Sequence, residues 1–350
     1  MSVLVTGGAG YIGSHVMLAL LDAGEEPIVL DDLSTGSREA VPTEVIFVKG
    51  DVGDENLVSR VIAENGVRAI IHLAGSIIVP ESVRDPLGYY FNNTCKSRAL
   101  MACAIKARLK HFIFSSSAAV YGLCSGTAVA EGAELRPISP YGSSKLMTEI
   151  MLRDTANAFP MRYVALRYFN VAGADPNGRT GQSTPNATHL IKIGVQAALK
   201  QRPYLEVFGD DYSTPDGTCI RDYVHVTDLA RAHLSALDYL RGGGASEALN
   251  CGYGNGFSVL EVIDAVRRVS GTDFPVHLGP RRAGDPPVLV AQADRIGTVL
   301  DWRPRYNDLN AIVMHALDWE KHLIERRSSI PQIRLRCTRS GAHPKVRVAV

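Results

Sequence analysis

The sequence predicts an α/β fold, a doubly wound parallel sheet followed by a smaller mixed α/β substrate domain, and three observations carry that expectation. Short apolar runs alternate with helical patterns from residue 1 to about 170, as they do when crossover helices cover both faces of a parallel sheet. The first run, Val3-Leu4-Val5-Thr6, breaks into glycines and then into the helical pattern His15–Leu21. Beyond Asn170 the strict alternation is lost, and glycine, proline and polar residues crowd Gly173–Pro185, which marks a domain border. The expected units are therefore 1–170, 171–325 and a tail, 326–350.

The glycines after the first strand read Gly8-x-Gly10-x-x-Gly13, the dinucleotide fingerprint between a strand and a helix. Glycines let the turn close and the backbone approach a pyrophosphate, whose charge then sits at the helix N-terminus. A tight turn without a ligand is the plainer reading, but the second strand, Pro27-Ile28-Val29-Leu30, ends in Asp31, where an acid meets the adenosine ribose. That acid repels a 2′-phosphate, so the sheet is Rossmann-type and the expected cofactor is NAD rather than NADP. Val45–Val48 is the third strand, with Asp51 and Val52 after it where an adenine would lie. Ala69–Leu73 is the fourth and ends in the small residues Ala74 and Gly75. His72 within it reads as a packed core histidine rather than a catalyst. Asp85-Pro86-Leu87 opens a long helical stretch through Ala107, and Phe112-Ile113-Phe114 runs as a fifth strand into Ser115-Ser116-Ser117. In the second unit, Arg221–Val226 is expected as a strand returning to the first sheet, and Gly242-Gly243-Gly244 as a surface linker.

Composition narrows the setting. Of 350 residues, 46% are apolar and 21% charged, with a net charge of +1, so nothing draws the chain to nucleic acid or anionic membranes. No apolar run reaches the ~18 residues of a membrane span. Six cysteines lack any C-x-x-C pair, which predicts free thiols and no metal site in a soluble, cytoplasmic protein. Seven basic residues and no acid lie between Arg326 and Val350. A nucleic-acid arm is one reading, but the run has no aromatic residue and the fold is complete before it, so a disordered overhang is expected.

The chemistry centres on Ser115-Ser116-Ser117 and Tyr141-Gly142-Ser143-Ser144-Lys145. Ligands of open α/β sheets bind at the carboxyl ends of strands, so this serine end faces the nicotinamide half of a dinucleotide. Pro140 suits a helix start, and Tyr141 and Lys145 then share one face. A free phenol titrates near 10 and is a poor base at neutral pH. Lysine and a cationic nicotinamide both favour the phenolate; lowering its pKa by ~3 units needs about 4 kcal/mol, within reach of two cations in a dry site. Tyr141 is then the general base for an alcohol proton, with Ser117 orienting the same oxygen.

Thr6-Gly7-x-x-Gly10-x-x-Gly13, Ser115–Gly122 and Ser139–Lys145 resemble the extended short-chain dehydrogenases/reductases. Within these the chain is similar to the UDP-glucose/UDP-galactose 4-epimerases over roughly 1–325, on Leu166–Asn170, Phe208–Tyr212, Asp216–Val226 and Pro280–Pro286. The resemblance implies NAD held by Gly7, Gly10, Tyr11, Ile12, Gly13, Asp31, Asp32, Leu33, Ser34, Thr35, Gly36, Asp51, Val52, Leu73, Ala74, Gly75, Asn92 and Phe169, with Ser115, Tyr141 and Lys145 on the nicotinamide side. It implies a UDP-hexose substrate, its diphosphate on Asn170, Arg221 and Arg282, its uracil bordered by Val207, Phe208 and Tyr223, and its ribose met by Asp285. The segment 186–190 falls where the family has a further diphosphate contact. The family mechanism follows: Tyr141 takes the 4-hydroxyl proton as carbon 4 gives hydride to NAD, the 4-keto sugar turns over, and hydride returns to the other face. The stretches Tyr89–Ala107 and Tyr141–Thr155 resemble the helices of the family's homodimer interface.

Two departures stand out. Ile77 occupies a loop position where some epimerases carry lysine, and Leu289, of intermediate size, falls where the family gates the sugar pocket. Epimerases of UDP-N-acetylhexosamines or of UDP-uronates therefore stay open. The related 4,6-dehydratases need an acid pair where this chain has Ala118 and Ala119. A non-catalytic NAD-sensing protein, the alternative from another class, has no use for both Tyr141 and Lys145.

Overall fold

The computed structural model describes residues 1–124, 126–184, 187–282 and 285–329. Six strands come first, β1 (Ser2–Thr6), β2 (Glu26–Asp31), β3 (Ile46–Lys49), β4 (Ala69–His72), β5 (His111–Ser117) and β6 (Arg162–Tyr168). Seven more follow among the described residues: β7 (Asn170–Ala172), β8 (Leu205–Phe208), β9 (Ile220–His225), β10 (Glu247–Cys251), β11 (Gly256–Ser258), β12 (Val276–Gly279) and β13 (Val288–Leu289). The main sheet is parallel throughout, in the order β10-β6-β5-β4-β1-β2-β3. The order reverses between β1 and β4, which opens a crevice at their carboxyl ends, the place where ligands of such sheets bind.

Each strand feeds both layers because side chains alternate across the sheet. Val3 and Val5 pack with Val16, Leu20 and Leu229 on one side, and Leu4 packs with Val58, Ile62 and Leu100 on the other. Asp54 caps the helix Glu55–Glu64 by accepting from the N–H groups of Asn56 and Leu57, and Ser139 caps Pro140–Ala158 through Gly142 N–H.

The structure corrects two expectations and refines another. First, the strand containing Arg221–His225, β9, does not return to the main sheet; it pairs with β7, β11 and β13 in a separate sheet. The edge beside β6 is taken by β10, with Glu247 opposite Val164 and Cys251 opposite Tyr168. The helix Val226–Arg241 is the crossover between them, and its buried face joins the core of the first unit. Second, the helical stretch from Asp85 runs unbroken to Lys106 as expected, but it is not α-helical throughout. Pro86–Tyr89 is one turn capped by Asp85, Tyr90–Cys95 is a π-turn, and Lys96–Lys106 resumes the α-helix. Third, the basic tail begins later than 326, since the last helix runs Leu309–Ser329; the rest of that tail lies outside the described residues. The five described cysteines are free, three of them buried. No helix among the described residues is long and apolar enough to cross a membrane.

Candidate active site

The glycine turn after β1 is crowded on its protein side. Gly7 has φ +72°, and a Cβ there would meet Ala74 N at 2.6 Å, so β1 and the end of β4 touch directly. A Cβ on Gly13 would lie 2.1 Å from Gly7 O, which presses the helix Tyr11–Asp22 onto the turn. Gly10 is the N-cap of that helix, in extended backbone and without a side-chain cap, so the first N–H groups are left to a ligand. Asp31 is locked in place: Oδ2 accepts from Ala9 N–H at 2.9 Å and Oδ1 from Leu33 N–H at 2.8 Å. Burial pushes its carboxyl up, and those two N–H groups pull it back. The loop beyond it is anchored by Asp32, which accepts from Ser34 N–H at 2.8 Å, and by Gly36, whose added Cβ would touch the Ala9 carbonyl at 2.9 Å. Asp51 is ion-paired to Lys96 at 2.7 Å; burial opposes its charge, but Lys96 and Gly53 N–H hold it below the usual carboxylate range. An orienting acid, a turn free of Cβ atoms and an uncapped helix N-terminus fit a dinucleotide.

The loop Leu73-Ala74-Gly75 is fastened by a residue that sequence reasoning passed over. Asn93, buried in the π-turn, accepts from Ser76 N–H at 2.7 Å and donates to Ser76 O at 2.9 Å and to Ser144 Oγ at 3.0 Å. Its neighbour Asn92 donates to Ser76 Oγ at 2.9 Å. A π-turn inside a helix recurs at functional sites, but no residue pattern in 85–107 announces it. His72 is a core residue between Thr6 Oγ1 and Ser97 Oγ, each at 2.7 Å, and burial holds it neutral down to about 3. Ile77 lies exposed on the surface.

The structure brings Ser117, Tyr141 and Lys145 together at the end of β5. Lys145 is 3% exposed and donates to Ser115 O at 2.8 Å, with its ammonium 5.0 Å from the Phe114 ring centroid and 6.0 Å from that of Tyr141. Burial pushes Lys145 down to about 8, against the charge of Glu149. Burial raises the Tyr141 phenol, and the Ser117 hydroxyl facing it pulls the other way. The protein alone thus favours the protonated phenol, and a cation placed beside it would favour the phenolate.

The residues expected to meet the substrate lie as follows. Arg221 is nearly buried, donates to Ile220 O at 2.8 Å, and pairs with Asp285 at 3.2 Å; Leu289 is its register partner on β13. Leu289 also packs in the cluster of Phe169, Ala118 and Tyr121, next to the turn that follows Ser117. Asn170 stands opposite Tyr223 in register. The Arg282 guanidinium lies 3.8 Å over the Phe208 ring. Val207 and Tyr223 are buried in the core of the second unit with Val195 and Val266, and the Tyr223 hydroxyl faces Asn170. The period of two along β8 sends Val207 inward and Phe208 to the opposite face. Val52 is likewise a core side chain, packed with Leu4 and Leu30. Asn186, within the segment 186–190, lies outside the described residues, as do Ala283 and Gly284 beside Asp285.

Residues 3–252 match the model of the NAD dependent epimerase/dehydratase family. The chain is 57% identical over 321 residues to a UDP-glucose 4-epimerase of Azospirillum brasilense, covering 92% of each. Among solved structures it is similar to UDP-glucose 4-epimerase from Brucella ovis in complex with NAD, at TM-score 0.88 and 45% identity over 91% of this chain and 97% of that one. The enzyme from Bifidobacterium longum in complex with NAD+ and UDP aligns at TM-score 0.87 and 37% identity, over 92% and 98% of the two chains.

Proposed function

The chain belongs to the NAD dependent epimerase/dehydratase family, and from that premise we propose that it interconverts UDP-galactose and UDP-glucose, with NAD as cofactor, by reversible hydride transfer at carbon 4. The observation that carries the reading is the convergence of Ser117, Tyr141 and Lys145 at the end of β5, beside a turn shaped for a dinucleotide. Bound NAD supplies the hydride acceptor and, in the return step, the hydride. Tyr141 accepts the proton of the 4-hydroxyl and gives it back, Ser117 orients that oxygen, and Lys145 keeps a positive charge beside the phenolate. Asp31 and the glycine turn hold the adenosine and pyrophosphate, and the clamp of Asn93 on Ser76 fixes the loop bordering the nicotinamide side. Arg221, Arg282 and Asn170 hold the UDP diphosphate, supplying binding energy remote from a sugar that has to turn over.

In this division of labour, residues 1–170 hold NAD together with the crossover helix and β10, and the remainder to 325 holds UDP-sugar. The active unit is a homodimer. Val79 and Val83 of the helix Val79–Arg84 and Leu87 and Phe91 of the helical stretch that follows have exposed side chains, Leu87 at 78% and Phe91 at 62%, as do Met147 and Ile150 of the catalytic helix. A second copy laid on these side chains removes them from water. The protein works in the cytoplasm, where free thiols such as Cys95 persist. The test is incubation of purified protein with UDP-galactose and no added cofactor, followed by NMR. Conversion to UDP-glucose until the epimers reach equilibrium is expected. No conversion with NAD supplied refutes the hexose assignment, and the same assay on UDP-N-acetylhexosamines and UDP-uronates then decides between the other sugars.

A further inference from the structure

Glu149 is buried beside the catalytic pair and takes no part in the steps above. Tyr141, Lys145 and Glu149 follow one another at intervals of four residues and share one face of the helix Pro140–Ala158. The end of β5 meets this face at three successive residues. Ser115 O accepts from Lys145, the Ser116 hydroxyl donates to Glu149 Oε1, and the Ser117 hydroxyl faces Tyr141. Glu149 is gripped from the neighbouring strand by Arg167, register partner of Ser116, with Nε to Oε1 at 3.0 Å and Nη2 to Oε2 at 2.6 Å. Arg167 is in turn held by Tyr121 Oη at 3.0 Å and Glu131 O at 3.2 Å, and Tyr121 Oη donates to Asn250 Oδ1 at 2.7 Å. A buried ion pair of this kind is a weak source of stability, because desolvation offsets most of the attraction. Its place next to a lysine that has to stay charged gives it a different use.

We propose that Glu149 is a positioning residue for the epimerisation: clamped by Arg167 and Ser116, its carboxylate is the counter-charge that keeps the Lys145 ammonium protonated and aimed at Tyr141. The proposal rests on the epimerase reading and on Tyr141 and Lys145 as its catalytic pair. The other titratable groups around them leave this task to Glu149. His72, from β4, is neutral down to about 3, by burial and by the charge of Lys145. Burial raises the phenols of Tyr89, Tyr121, Tyr163 and Tyr168 above their ordinary value, so they are neutral as well. Arg167 is committed to Glu149, and the Glu131 carboxylate accepts from Asn250 N–H.

The experiment is the pH–rate profile of UDP-galactose conversion by the full chain with its NAD, for wild type, for Glu149→Gln and for the double variant Glu149→Gln/Arg167→Met. The double variant removes both buried charges and keeps the experiment informative if the single change does not fold. Loss of the carboxylate is expected to move the alkaline limb of the profile toward lower pH by about one unit in both variants, because a neighbouring opposite charge shifts a titration by about that much or more. A limb that coincides with wild type, with turnover lowered equally at every pH, overturns the proposal and leaves Glu149 a packing residue. A wild type inactive at every pH refutes the epimerase reading itself, and the role of Glu149 falls with it.

Discussion

Gly10 and Gly13 belong to the same motif, yet the structure predicts that alanine acts at them in different ways. At Gly13 the new Cβ would lie 2.1 Å from Gly7 O, 2.7 Å from Gly8 Cα and 2.8 Å from Gly7 C, all backbone atoms that cannot swing aside. The helix has to lift off the turn, an overpacking cost of roughly 2 kcal/mol, which lowers the melting temperature by about 4–8 °C. At Gly10 the backbone is extended, with φ −79° and ψ 177°, and the new Cβ would meet only Gly7 O at 3.2 Å. Gly10→Ala is therefore expected to melt within about 2 °C of wild type when both are stripped of NAD. In the proposed cofactor site its methyl would stand on the surface a pyrophosphate approaches, and forcing a methyl into such a contact costs about 1–3 kcal/mol, roughly a ten- to hundredfold loss of affinity. The assay is paired: thermal melting of the stripped proteins, and NAD per chain released on denaturation of the proteins as purified. Gly10→Ala that keeps a full complement of NAD, or Gly13→Ala that melts like wild type, would refute the geometry.

Three further outcomes follow. Tyr141→Phe keeps the ring and loses only the hydroxyl facing Ser117, so NAD content is expected to be unchanged while turnover falls about 10²- to 10⁴-fold; undiminished NMR conversion would remove the phenol from the mechanism. Four buried histidines are held neutral well below their ordinary 6.5, His15 and His233 to about 4, His72 and His225 to about 3. Because the unfolded chain takes up these protons first, stability present above pH 6.5 is lost as pH falls toward 4, by on the order of 1–2 kcal/mol per histidine at pH 5; equal urea midpoints at pH 7 and pH 5 would contradict this. For the homodimer, sedimentation of wild type should show a dimer and Leu87→Glu/Phe91→Glu a folded monomer, and a wild type that is monomeric at every concentration rules the interface out.

Most of the cofactor half was legible in the linear chain, and the reason is local. A strand, a glycine turn and a helix N-terminus follow one another within a dozen residues, and Asp31 sits at the end of the next strand, so the contacts that shape the turn are encoded in neighbouring letters. Tyr141 and Lys145 were legible for the same reason, since a four-residue spacing sets them on one helix face. Sequence alone could not decide which strand closes the sheet. Arg221–His225 and Glu247–Cys251 are both short strand-like segments, and their places depend on where the crossover helix Val226–Arg241 finds apolar surface to cover. Nor did it show that Asn93 points inward, because the π-turn that rotates it appears only once Ser76 and Ser144 are there to receive it. The partners of Glu149 come from two strands, and Arg221 meets Asp285 across 64 positions of chain. Periodicity records what lies one turn away along a helix or two residues along a strand. Pairings between buried charges distant in sequence are set by packing, and only the tertiary structure decided them.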